Sequence, residues 1–98
     1  MEHERSFRLR VEGWQYGRNG YIKGEKLLME VARESCRHCP TCSRRVESVE
    51  SRLRASGVAW GWETGPGNGL YVAVPAPKDV DQVGNYLTRL IGREVAVA

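Results

Sequence analysis

The sequence predicts an α+β fold, one antiparallel sheet with its helices on one face, on three observations. Apolar and charged residues alternate near the amino end, two later segments carry apolar residues at helical spacing, and Gly/Pro clusters set off further short alternating runs. Phe7, Leu9 and Val11 alternate with Arg8, Arg10 and Glu12, the period of a half-buried strand, and Trp14 and Tyr16 continue it. Arg18-Asn19-Gly20-Tyr21 carries the signal of a tight turn, with Trp14, Tyr16 and Tyr21 expected to cluster around it. Lys26 to Glu34 reads two ways. Leu27, Met29 and Val31 fit a strand, whereas Leu27, Leu28, Val31 and Ala32 fit one face of a helix, which the composition favours.

Pro40 suits a first helical turn, and Thr41 or Ser43 is the expected cap. Val46, Val49 and Leu53 make one helical face, and Gly57 supplies a stop. Val58, Trp60 and Trp62 share a strand face, where tryptophans serve as core before they serve as a platform for bases. Gly65 to Gly69 is a turn and lacks the strand–Gly–helix context of a phosphate loop. Leu70, Val72 and Val74 return as a strand halted by Pro75 and Pro77. Asp79 with Gln82 resembles a capping box, ahead of a helix bearing Val80, Val83, Leu87, Leu90 and Ile91 and closed by Gly92. Val95 and Val97 end the chain as a short strand. The order is βαββαβ, that of a ferredoxin-like sandwich with a four-stranded antiparallel sheet and an amino-terminal elaboration.

Ninety-eight residues make a single domain, 1–98, with an ordinary apolar fraction of 41% and charged fraction of 28%. No apolar run approaches the roughly 20 residues of a membrane span, and the charged start, Met1 to Arg10, is not a secretory signal. An odd number of closely spaced cysteines argues for reduced thiols and a cytoplasmic location. Arginine carries most of the +3 net charge, but glutamates interrupt it throughout, so a solvated mixed surface explains it better than a nucleic-acid patch. His3 sits in a charged terminus. Asp79 and Asp81 fit a helix start better than catalysis, and no other acid–base set can be assembled, so no enzyme is expected.

The chemistry lies in Cys36-Arg37-His38-Cys39-Pro40-Thr41-Cys42, which holds all three cysteines and a histidine. Two CxxC spacings overlap at Cys39, and Cys39 and Cys42 straddle a helix amino end. There the backbone N–H groups favour thiolate, with Arg37, Arg44, Arg45 and protonated His38 expected to add to the effect. Cys36, His38, Cys39 and Cys42 are the candidate ligands for a soft metal, Zn or Cu(I).

Cys39-Pro-Thr-Cys42-Ser-Arg-Arg-Val46-Glu47, followed by Leu53 and Gly57-Val58, resembles the pattern of heavy-metal-associated domains over residues 26–98. The resemblance implies a ferredoxin-like copper-chaperone module that grips Cu(I) through Cys39 and Cys42, with Lys26 to Arg33 as its first strand. That family usually has Gly-Met-x before its first cysteine, where this chain has Cys36-Arg37-His38. If Phe7 to Tyr16 is instead the first strand, Lys26 to Glu34 is a helix and the cysteines lie in a helix–helix turn.

Other uses of the cluster stay open: tetrahedral zinc with His3 or a homodimer partner completing the set, a dithiol redox pair, or a structural role. An iron–sulfur cluster fits less well with three cysteines. The leading expectation is a non-enzymatic metal- or thiol-binding module that serves a protein partner. The alternative is a regulatory or inhibitor domain that binds protein or nucleic acid and uses the cysteines structurally.

Overall fold

Leu9 and Val11 are buried and Phe7 half-buried on strand β1 (Arg5–Val11), as its alternation requires. The computed structural model describes residues 5–11, 18–36 and 38–97. Trp14, Tyr16 and His3 lie outside them. The expected turn at Asn19-Gly20 is instead strand β2 (Arg18–Lys23), paired antiparallel with β1. Gly20 lies opposite Phe7, and a Cβ there would sit 2.5 Å from the Phe7 ring. The glycine therefore makes room for an aromatic ring across the ladder. Gly20→Ala should push that ring aside at a cost of about 1–3 kcal/mol, read by chemical denaturation. The chain reverses at Gly24-Glu25, where Gly24 adopts φ 60° and Lys23 faces Lys26.

Lys26–Ala32 is strand β3, which resolves the ambiguous segment. Its residues after Lys26 are buried without a break. β3 pairs with β2 on one side and with β5 (Leu70–Pro75) on the other, and a strand buried on both faces loses the alternation that would reveal it. β4 (Gly61–Thr64) pairs with the far side of β5, and β6 (Val95–Val97) pairs with β1. The sheet is antiparallel, in the order β4-β5-β3-β2-β1-β6. It has six strands where the sequence led us to expect four. The amino-terminal segment enters as a hairpin, and two inserted strands leave β6 antiparallel to β3.

β4 begins at Gly61, later than the Val58 expected. The register that sets Gly61 opposite Ala73 would bring Ala59 opposite Pro75, which has no N–H to donate. Trp60 and Trp62 nonetheless pack on the core, their rings edge to face at 5.7 Å.

Helix α1 (Pro40–Ser56) and helix α2 (Val83–Ile91) end at Gly57 and Gly92, both with left-handed φ. The α2 start differs from a capping box. Asp79 accepts from the Asp81 N–H at 3.0 Å, Val80–Gln82 forms a 3₁₀ turn, and the Gln82 side chain accepts from Asn85. Val49 and Leu53 of α1 and Val83, Leu87, Leu90 and Ile91 of α2 close over Leu9, Val11, Ile22, Leu27, Met29, Val31, Val72 and Val74. Both helices thus cover one face of the sheet. Each such side chain contributes about 1.5–3 kcal/mol when fully buried. The opposite face bears Leu28, Tyr71 and Ala73, with Tyr21 packed against them.

Candidate functional site

The cysteines occupy the connection from β3 to α1. A 3₁₀ turn, Glu34–Cys36, follows β3, and the Cys36 N–H donates to the Arg33 carbonyl at 2.9 Å. The Cys39 N–H then donates to the Cys36 carbonyl at 3.0 Å, folding the window back on itself. Pro40 takes the first helical position because its missing N–H costs nothing there. Cys39 is therefore the cap residue. Thr41 and Ser43, expected as caps, lie inside the helix, and Ser43 donates its N–H to the Cys39 carbonyl at 2.9 Å. Arg45 reaches back from α1 to the Val31 carbonyl at 3.4 Å, tying the helix to the end of β3.

This backbone path brings the three sulfurs together. The thiols of Cys36 and Cys39 both lie within interaction range of Cys42, and all three are free. Cys42 is buried, at 4% exposure, whereas Cys36 and Cys39 are partly exposed. The Cys39 sulfur makes no regular capping hydrogen bond. Even so, the Cys42 and Thr41 N–H groups are directed at it and hold its pKa below the usual thiol value, with the Cys42 thiol and Thr41 hydroxyl adding to the effect. Burial pushes Cys42 the other way, up to about 11, and the neighbouring Cys36 and Cys39 reinforce that shift.

The thiolate is thus favoured by the open helix end. Of the guanidinium groups named from sequence, Arg45 is turned to the Val31 carbonyl and Arg44 is exposed, while Arg37 lies outside the described residues. Of the expected ligands, the three cysteines come together, and His38 is exposed. Among the described residues, no group of three His, Cys, Asp or Glu side chains is already set as a metal cage. Any ion held here must draw the sulfurs into position.

The split between the two thiols has a direct readout. Iodoacetamide should modify Cys39 before Cys42, with the Cys39 rate reaching its plateau at lower pH than a free thiol. Cys42 should stay protected until the pH approaches 11 or the chain unfolds. Peptide mapping after timed labelling checks the order.

A second constellation, on the sheet face away from the helices, was not legible from sequence. Glu30 is 6% exposed, faces the buried Tyr71 across the β3–β5 ladder, and has its carboxylate beside the Tyr71 hydroxyl. Burial, with Glu30 and Tyr21 beside it, pushes the Tyr71 hydroxyl up to about 12. Tyr21, assigned by sequence to a turn cluster, packs edge to face on Tyr71 at 5.5 Å. Among the described residues, no helix is long and apolar enough to cross a membrane.

Comparison with protein-family models, curated proteins and solved structures finds no match to this chain.

Proposed function

We propose that the protein is a small non-enzymatic module that holds a soft metal ion, Cu(I) in preference to zinc, through Cys39 and Cys42, with Cys36 available as a third sulfur. The observation that carries the reading is the meeting of these sulfurs at the amino end of α1, where one is held toward its thiolate by backbone N–H groups. Ion capture requires deprotonated sulfur, and the lowered pKa of Cys39 eases that deprotonation. Thiolate ligands suit both Cu(I) and zinc, and a set of two or three sulfurs matches the low coordination number of Cu(I). Structural zinc requires four ligands, and His38 is exposed beside the three sulfurs.

The topology supports the same reading. The segment from β3 to β6 runs strand, helix, strand, strand, helix, strand. We read it as a ferredoxin-like unit widened by the β1–β2 hairpin, which sits between β3 and β6. In that unit the cysteines follow the first strand, the position the heavy-metal-associated resemblance implies. The half-exposed Cys36 and Cys39 would leave the ion accessible to a protein partner's thiols, the route by which such a module would exchange its cargo.

Competition against a chromogenic Cu(I) chelator, under anaerobic reducing conditions, tests the proposal. The expected result is one Cu(I) per chain, withdrawn from the chelator, with zinc held more weakly. A chain that leaves all the copper on the chelator overturns it.

A further inference from the structure

The sheet face away from the helices carries a different chemistry from the thiols. Strand register sorts the amino-terminal hairpin into two faces. Phe7, Leu9 and Val11 face the helices, so Ser6, Arg8 and Arg10 project from the other side. On β2, Asn19 lies opposite Arg8 and Tyr21 opposite Ser6, on that same side. Lys23 and Lys26 continue the face beyond the tyrosine. Of the acidic residues described on this face, Glu30 is buried beside Tyr71, and Glu63 pairs with Lys26 at 3.2 Å. The β1–β2 half of the face is therefore cationic, with exposed Arg8 and Arg10 flanking a half-exposed aromatic ring.

The face also has a seat. A cleft of about 440 Å³ is lined by Ser6, Arg8, Asn19, Tyr21 and Tyr71, with Pro66 of the β4–β5 turn among its walls. Its components match what an unpaired nucleotide offers. The Tyr21 ring supplies a surface for a base, the Asn19 amide and Ser6 hydroxyl can hydrogen-bond base edges, and the guanidinium groups meet phosphate.

We propose that this face binds single-stranded nucleic acid, seating one base against Tyr21 and running the backbone past Arg8 and Arg10. A half-exposed ring on a sheet face can stack a splayed base, whereas a duplex hides its base faces, so single strands are the occupant. The proposal does not rest on the metal reading, since the thiols lie in the β3–α1 connection.

Fluorescence anisotropy with end-labelled oligo(U) and oligo(dT) of about 12 nucleotides, beside a duplex of equal length, tests it on the full chain treated with chelator. Both single strands should bind better than the duplex, and the RNA and DNA arms show whether the 2′-hydroxyl matters. Affinity should fall with salt, with a log–log slope of about −0.7 for each phosphate neutralised. Arg8→Gln with Arg10→Gln should flatten that slope by about 1.4. Tyr21→Ala should weaken binding about 5-fold or more, while Tyr21→Phe, which keeps the ring, should bind like the parent.

The arginine variants sit on an exposed surface, so they carry the test if Tyr21→Ala unfolds by circular dichroism. Salt-independent binding, equal affinity for the duplex, or an unchanged slope in the double arginine variant overturns the proposal. Displacement of the oligonucleotide by polyglutamate at lower concentration than by unlabelled oligo(U) also overturns it, and points to an acidic protein as the ligand.

Discussion

Replacing either Cys39 or Cys42 by serine should lower the affinity for Cu(I) by at least about 100-fold, a larger loss than disturbing an outer-shell partner brings. A serine hydroxyl is a hard, protonated oxygen at neutral pH and cannot stand in for thiolate toward a soft ion. The two variants should differ in their side effects. Cys39 is partly exposed at the helix end, and its loss should leave the fold intact. Cys42 is buried beside the other two thiols, so serine there also places a hydroxyl in a site closed to water and should lower stability by about 1–3 kcal/mol. Cys36→Ser should weaken binding less, about 10-fold, as the loss of a supporting group does. His38→Ala should leave it unchanged, because the imidazole is exposed. Chelator competition on the four variants, each with a thermal melt, separates ligand loss from unfolding.

The second large effect concerns the scaffold that holds the site. Leu53→Ala should destabilise the protein by about 2–5 kcal/mol. Leu53 is 1% exposed on α1 and belongs to the cluster that joins both helices to the sheet. Its removal leaves a cavity that backbone elements held on several sides cannot close. In a domain of this size the melting temperature should fall by at least about 8 °C. Val97 serves as the control. It is 46% exposed on β6, and Val97→Ala should stay within about 0.5 kcal/mol of the parent. Because Arg45 on the same helix anchors to Val31, loosening α1 should also raise the reactivity of Cys42 toward alkylation.

Helices and punctuated strands were legible where a single rule governs them. The Val49–Leu53 face, the glycine stops at Gly57 and Gly92, the returning strand at Leu70 and the closing strand at Val95 all follow from period and punctuation. Errors arose where two elements share the decision. Asn19-Gly20 has turn chemistry, but the pair across the ladder is Phe7, and the ring requires a glycine. Lys26 to Ala32 hides its strand period because its side chains after Lys26 are buried on both faces, under the helices on one and among Tyr21, Tyr71 and Ala73 on the other. Strand count then followed: a turn placed at Gly20 concealed β2, and with it the hairpin that makes six strands of four.

The cysteine window was found from spacing alone, and so was its place at a helix start. What spacing could not supply was which group lowers the Cys39 pKa, since arginines adjacent in sequence need not face the sulfur. Backbone N–H groups do so because Pro40 fixes where the helix begins. The Glu30–Tyr71 pair was invisible for the opposite reason. Its members are forty-one positions apart in sequence and meet only through the β3–β5 register. The cationic sheet face was half-visible in the Arg8 and Arg10 alternation, but its aromatic partner had been assigned to a turn.

X-ray absorption on the copper-loaded protein tests the central claim most directly, because it counts and identifies the atoms bound to the ion. We predict a Cu(I) edge with a sulfur-only shell of two or three ligands, lost in the Cys39→Ser, Cys42→Ser double variant. A shell dominated by nitrogen or oxygen, or a sulfur shell that survives in the double variant, would contradict the assignment of this site.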